Sequence, residues 1–408
     1  MLVQSDTDLK QLLEQHPECL EFLWPFRKLI DENISVGSFA EQYELPLESL
    51  TLGLTRTVKR ALQYPCNYAQ MRRNLVKSGQ VNIAGYVSFT WQQAFVDELC
   101  AFAKSQGIGL NLNIFPKYKK KEFQNYLALC QSIDDLPDIL IGKGFSSLNT
   151  QQFTDSWIKP GYFTSQIRAP FNAMFRKAGL VDDKRQYHTF GAEEFVMVYD
   201  PALKPNLALP RSWSDLLNPE YRGMISQMGK NVRDHFGFVM MFYLYHQHGE
   251  DGIRQFAANV KSKQHFSGMV KNLATALPET APINLMHNFA KCFIRSDVRD
   301  EVQQINPIDG NPVVAYFFLL KQGAGSDAEK LAQHFYSPKI GNILERSGSL
   351  HAAQSSVLAG DKKIRWIGWD TVKNAPLPYL KEYLSEVAYS EYTPETISTK
   401  RNHENNDL

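Results

Sequence analysis

A chain of 408 residues exceeds the size at which one hydrophobic core suffices, so two or three lobes are expected. Its 43% hydrophobic and 21% charged residues supply an ordinary core, and a net charge of +1 gives no electrostatic ground for nucleic acid or an anionic membrane as partner. No apolar run approaches the ~20 residues that span a bilayer, and no basic-then-apolar segment opens the chain as a secretory leader would. Cys19, Cys66, Cys100, Cys130 and Cys292 are scattered, with neither CxxC nor metal-ligand spacing, as a reduced compartment tolerates. As written, the chain reads as cytoplasmic; it reads as periplasmic if a leader has been removed.

Residues 1–64 form a small all-α domain. Asp6-Thr7-Asp8 caps a first helix, Ser38 and Glu41 have capping-box spacing for a second, and a third follows Pro46 with Leu47, Leu50, Leu54, Val58 and Leu62 on one face. Residues 65–79 read as a linker. Val81–Gly85 is a strand, Tyr86–Trp91 a polar-aromatic loop, Gln92–Ser105 a helix and Leu110–Phe115 the next strand, so a βαβ unit opens the main body. Leu136–Ile141 is a buried strand followed by the glycine-containing loop Gly142–Ser147, which lacks phosphate-loop spacing. Glu194–Tyr199 is a strand that leads into Leu209–Ile225. There Pro210 and the Ser212 and Ser214 hydroxyls announce a short helix, Asn218-Pro219 stops it, and Gly223 turns the chain into another strand. Further on come helices over 238–248, 252–260 and 269–276, a strand at Ile283–His287, the turn Asp309-Gly310, the strand Val313–Leu320, and paired helices over 328–344. A polar tail over 389–408 is expected to be disordered.

The run PRSWSDLLNPEYRGMI (210–225) resembles the P-x-T-W-x-D-L-x-x-P-x-[YF]-[KR]-G-x-[IV] segment of the extracytoplasmic solute-binding proteins of ABC importers, with Ser212 in place of the usual Thr. The resembling branch has the type 2 periplasmic-binding fold and includes iron, polyamine and thiamine binders. Leu136–Ile141, the stretch Ile305–Pro312 and the helices over 328–344 fall in the order that family shows. Less specifically, DLKQLLEQHPECLEFL (8–23) and SFAEQYELPLESL (38–50) resemble a small helical domain fused to bacterial redox and sensor proteins. The resemblance implies an α/β, two-lobed fold with a hinge, over 80–388. Lobe 1 would comprise about 80–195 and 312–388, and lobe 2 about 200–310.

Open α/β sheets bind ligands beyond the carboxyl ends of their strands. By position, the candidate solute-binding residues are Tyr86, Ser88, Phe89 and Trp91 in the first loop and Gly144, Phe145 and Ser146 in the second. Asn231, Asp234, His287 and Asp309 are the candidates in lobe 2. Aromatic rings would stack, hydroxyls and backbone N–H groups would orient, and a carboxylate would select a cation or amine. No catalytic residue is expected, since nucleophile-elbow, zinc-protease and dinucleotide motifs are missing. No cofactor or metal is expected either: His246 and His248, like Tyr243 and Tyr245, stand two apart on a helix and diverge. The expected function is capture of a small polar solute between hinged lobes for an ABC permease. Alternatives are a cytoplasmic sensor or carrier whose N-terminal helices dock a protein partner, and an enzyme on the same fold, which the missing nucleophile–base set disfavours.

Overall fold

A computed structural model of the chain describes residues 2–30, 34–116, 119–229, 234–353 and 362–389. The chain divides into two compact units. Unit 1 comprises Met1–Ala192, Val314–Val357 and Ile367–Glu382, and unit 2 comprises Glu193–Val313, Leu358–Trp366 and Tyr383–Leu408.

In unit 1, the N-terminal helices are α1 (Leu9–Gln15), α2 (Cys19–Leu23), α3 (Val36–Gln42) and α4 (Leu47–Gln63). Asp8 caps α1 by accepting the Gln11 N–H at 2.7 Å. The second cap falls on Ser35 rather than Ser38, because Ser35 holds the extended backbone a cap requires and its hydroxyl accepts the Ser38 N–H. Residues 65–79 hold a further helix, α5 (Tyr68–Leu75), capped by Asn67.

These helices belong to the same unit as the sheet that follows, and charged side chains fasten them to it. Trp24 Nε1 and Arg27 Nη2 donate to the Asp155 carboxylate at 2.9 and 3.1 Å. Arg72 pairs with Asp135 at 2.6 Å, and Arg56 with Glu382. Phe22 and Phe26 pack on Tyr379, with ring centroids 6.0 and 5.4 Å away. Residues 1–64, expected to form a small helical domain, fall within unit 1.

The sheet of unit 1 is built on β1 (Val81–Gly85), flanked in parallel by β2 (Leu110–Ile114) and β3 (Ile139–Lys143). Helices α6 (Gln92–Ser105) and α7 (Lys120–Leu129) make the crossovers. Two long strands, β4 (His188–Tyr199) and β9 (Asn311–Leu320), contribute to both units. The first half of β4 and the second half of β9 lie in unit 1, where β9 pairs antiparallel with β3. Phe95, Phe190, Phe318 and Phe335 close the core there, with Phe190 fully buried.

In unit 2, the parallel strands β5 (Ile225–Met228), β6 (Val260–Gln264) and β7 (Ile283–His287) adjoin the second half of β4, which runs antiparallel to β7 and to β8 (Gln303–Ile305). The short strands β10 (Leu350–His351) and β11 (Ile364–Arg365) pair with β4 in unit 1 and β9 in unit 2, respectively. One helix spans His235–Asn259, broken at Gly249, whose φ of 64° is left-handed.

The motif run 210–225 is scaffold for unit 2. Its expected helix is a 3-10 turn, Ser214–Leu217, because Asp215 accepts the Arg211 and Ser212 N–H groups at 2.7 and 3.0 Å and pins the chain before a full helix can form. Trp213 is fully buried.

Candidate functional site

Unit 1 presents the loops at the carboxyl ends of two adjacent parallel strands, β1 and β3. Gly85 makes the approach possible, since a Cβ there would lie 2.0 Å from the Ile141 carbonyl oxygen. The chain then leaves β1 as Tyr86, whose N–H still donates to Ile141 O at 3.3 Å. Tyr86 is buried; its phenol faces Ser146 and Ser147, burial pushes it up to about 12, and the Lys120 ammonium lies 4.1 Å from its ring centre. Trp91 is also buried, edge-on to Phe95 and Tyr316 at 5.3 and 5.2 Å. Both residues, expected to contact a ligand, are core supports of the loop instead. Apolar contact outweighs the loop position the sequence assigns them.

Between them the loop does face outward. Ser88 is half-buried with its hydroxyl 2.9 Å from that of Thr90, and Phe89 is 63% exposed. After β3, the Gly144 N–H donates to Ala315 O at 2.9 Å, so it serves the fold and not an incoming ligand. Phe145 follows in a left-handed conformation (φ 63°) and stays half-buried. A non-glycine residue there is strained, a feature that clusters where side chains are aimed for a purpose. The Ser146 N–H and hydroxyl both reach Asn149 Oδ1, at 3.3 and 3.2 Å, closing a capping turn. Phe89 and Phe145 are thus the side chains that these loops offer outward, with Ser88 beside them.

Unit 2 carries a cluster of ionisable side chains. His287 ends β7, opposite Phe195 of β4. Strand alternation puts Glu193 on the same face as Phe195, and its carboxylate meets His287 Nδ1 at 3.4 Å and His235 Nε2 at 3.7 Å. Phe195, Phe236 and Phe289 surround the His287 ring at 4.7, 5.1 and 5.5 Å. Glu193 and His287 are each 5% exposed, while the His235 side chain is 25% exposed. The group is a carboxylate and two imidazoles in an aromatic wall, open on the His235 side. It can accept or donate hydrogen bonds to a polar solute in low dielectric, where each is worth more than in water.

Glu193 and His235 were not among the residues expected from sequence. The available signal was a carboxylate breaking the apolar face of a strand. The neighbouring Glu194 turns to the other face, where it binds Asn311 and Lys362 at 2.8 and 2.7 Å.

Asp234 is the residue before the 235–259 helix, its carbonyl accepting the Phe238 N–H at 2.9 Å. Asn231 lies outside the described residues. Asp309 is engaged in scaffold: it accepts the Trp213 N–H at 3.3 Å and pairs with Arg365 at 3.1 Å. It is therefore corrected from a ligand-selecting carboxylate to a turn anchor for the motif run. Tyr243 is likewise committed, its hydroxyl lying 3.0 and 3.1 Å from the carbonyl oxygens of Val313 and Arg365. Among the described residues no group of three or more His, Cys, Asp or Glu is arranged to hold a metal ion, and no helix is long and apolar enough to cross a membrane.

No curated protein sequence matches the chain significantly. Solved structures do resemble it in fold. Ferric iron-binding protein A of Mannheimia haemolytica, in an open conformation, aligns with TM-score 0.55 and 14% identity over 77% of this chain and 100% of that one. An ABC transporter structure from Clostridium perfringens aligns with TM-score 0.54 and 14% identity, covering 76% and 99%. Apo FutA2 from Synechocystis gives 0.51 and 14%, covering 77% and 98%. At that identity the likeness is one of fold, the two-lobed type 2 periplasmic-binding architecture. Independently, the profile of the bacterial extracellular solute-binding protein family matches residues 134–375, more than half of the sequence, and the chain belongs to that family of binding proteins.

Proposed function

We propose that the chain captures a small polar solute and delivers it to an ABC permease, without transforming it chemically. Phe89, Phe145 and Ser88 at the strand ends of unit 1 would cover and orient the solute. The Glu193–His235–His287 group of unit 2 would supply the charged recognition. That group carries the reading: a carboxylate flanked by imidazoles, hardly exposed yet open on one side, is costlier to bury than an apolar cluster of the same size. Its chemistry suits a solute with amine or hydroxyl groups. Ferric citrate enters the test because a structural neighbour is a ferric iron-binding protein.

We place the protein outside the cytoplasmic membrane, following the extracellular family. The cysteines, all of them free, are the feature that speaks for the cytoplasm. Recovery of the native protein in the periplasmic fraction supports import, and recovery in the cytoplasm sinks it. The solute is found by melting the purified chain against ferric citrate, spermidine, thiamine, phosphate and small organic acids, since a ligand that binds only the folded state raises the melting temperature. A true solute loses its shift in Glu193→Gln; a shift that survives that change unaltered removes the unit 2 group from the site.

A further inference from the structure

The N-terminal helices precede the region matched by the family profile, which begins at residue 134. Within unit 1 they meet the back of the Gly144–Ser147 loop. A cavity of about 20 Å3 is lined there by Glu21 of α2, Cys130, and Ser147, Thr150, Gln152 and Ser156 of the segment after β3. It exceeds the ~10–15 Å3 that one water molecule needs, and its wall is polar, so it suits bound water. Gln152 Oε1 is buried on this wall without a protein hydrogen-bond partner, the condition that bound water relieves.

Glu21, 7% exposed, is held from the other side. Arg60 of α4 pairs with its carboxylate at 2.9 Å and also donates to Asn125 of α7 at 2.9 Å. The Glu21 charge is felt at Tyr86, whose phenol it pushes further up. One buried carboxylate from the N-terminal helices thus faces the turn that carries Ser146 and the tyrosine that ends β1.

We propose that Glu21 is a positioning residue: anchored by Arg60, it fixes the 146–150 turn through water in the shared cavity, so that the N-terminal helices set the conformation of the loop bearing Phe145 and Ser146. A helix that docks a partner or shifts on α4 would then alter solute retention without touching solute. The inference rests on the reading of that loop as solute-binding.

The test is hydrogen exchange of the full chain, measured by mass spectrometry without solute. Glu21→Gln removes the charge and keeps the shape, and Ser156→Val fills the cavity while leaving the Glu21–Arg60 pair intact. Amides of 144–150 are expected to exchange about tenfold faster in Glu21→Gln and about threefold faster in Ser156→Val. The exposed Glu41→Gln should leave them at the wild-type rate. The melting temperature should stay within a few degrees throughout, which separates a local effect from general unfolding. Wild-type exchange of 144–150 in either cavity variant overturns the proposal, as does equal acceleration in Glu41→Gln. The underlying reading of the loop fails separately, if Phe145→Ala leaves every solute-induced melting shift intact.

Discussion

The two units differ in what their strand ends and their buried histidines meet. The strand-end loops of unit 1 present rings and hydroxyls; elsewhere in that unit His188, which opens β4, has its Nε2 2.8 Å from Ser165 Oγ and its ring stacked on Phe318 at 5.0 Å, and His334 lies 2.9 Å from the Glu98 carboxylate. In unit 2, His235 and His287 share one carboxylate, that of Glu193, while His248 and His265 meet serine hydroxyls. A buried ring beside a hydroxyl is a packing element, whereas a buried carboxylate shared by two rings is a polar cluster that packing alone does not require. Under the proposed function the shared Glu193 carboxylate is the group kept for a solute, because desolvating a carboxylate is costly.

The comparison can be broken first through the core of unit 1. Phe190→Ala removes a fully buried ring packed on Phe95 and Phe335 and should cost about 3–5 kcal/mol, read as a fall in the urea midpoint. A loss below about 1 kcal/mol would mean that the aromatic cluster does not hold this unit together.

The contrast between histidines sharpens next with pH. Burial pushes His188 down to about 4 from the usual value near 6.5. Between those values the unfolded chain takes up a proton that the folded one refuses, so the stabilisation is complete above pH 6.5 and lost as pH falls towards 4. Its full size is about 3 kcal/mol. His334 and His351, also lowered chiefly by burial, act in the same direction. Stability measured at pH 7 and pH 5 should differ by about 2 kcal/mol, and His188→Gln should shrink that difference. An unchanged slope in the variant would remove His188 as its source.

Glu193→Gln tests the other side. It should lower stability by only about 1–2 kcal/mol while reducing solute affinity at least tenfold, checked by calorimetric titration with the solute found in the melting screen. Smallest in stability is Phe89→Ala. With the ring 63% exposed, the unfolding midpoint should move by less than about 0.5 kcal/mol, while solute affinity falls several-fold. A large stability loss there would make Phe89 a packing residue.

Much of the element order was legible in the sequence because it depends on local signals. Strands β1 and β7 and helix α6 fall where alternation, apolar periodicity and flanking glycine put them. The motif run was recognisable for the same reason, since a Trp–Asp–Pro–Gly pattern encodes its own turns. The candidate site was legible only in outline. The loops after β1 and β3 could be located, but Tyr86 and Trp91 lie in the core and Asp309 binds a backbone N–H and Arg365, outcomes set by residues more than fifty positions away.

The sequence by itself therefore determined the order of strands and helices, the family and the loops at the strand ends, because turn chemistry and side-chain periodicity act between near neighbours. Only the tertiary structure decided that Glu193, His235 and His287 meet, and that Glu21 stands behind the 146–150 turn. Those encounters arise from strand register and from helices packing across long stretches of chain, and no local pattern specifies which distant side chain will occupy the space opposite.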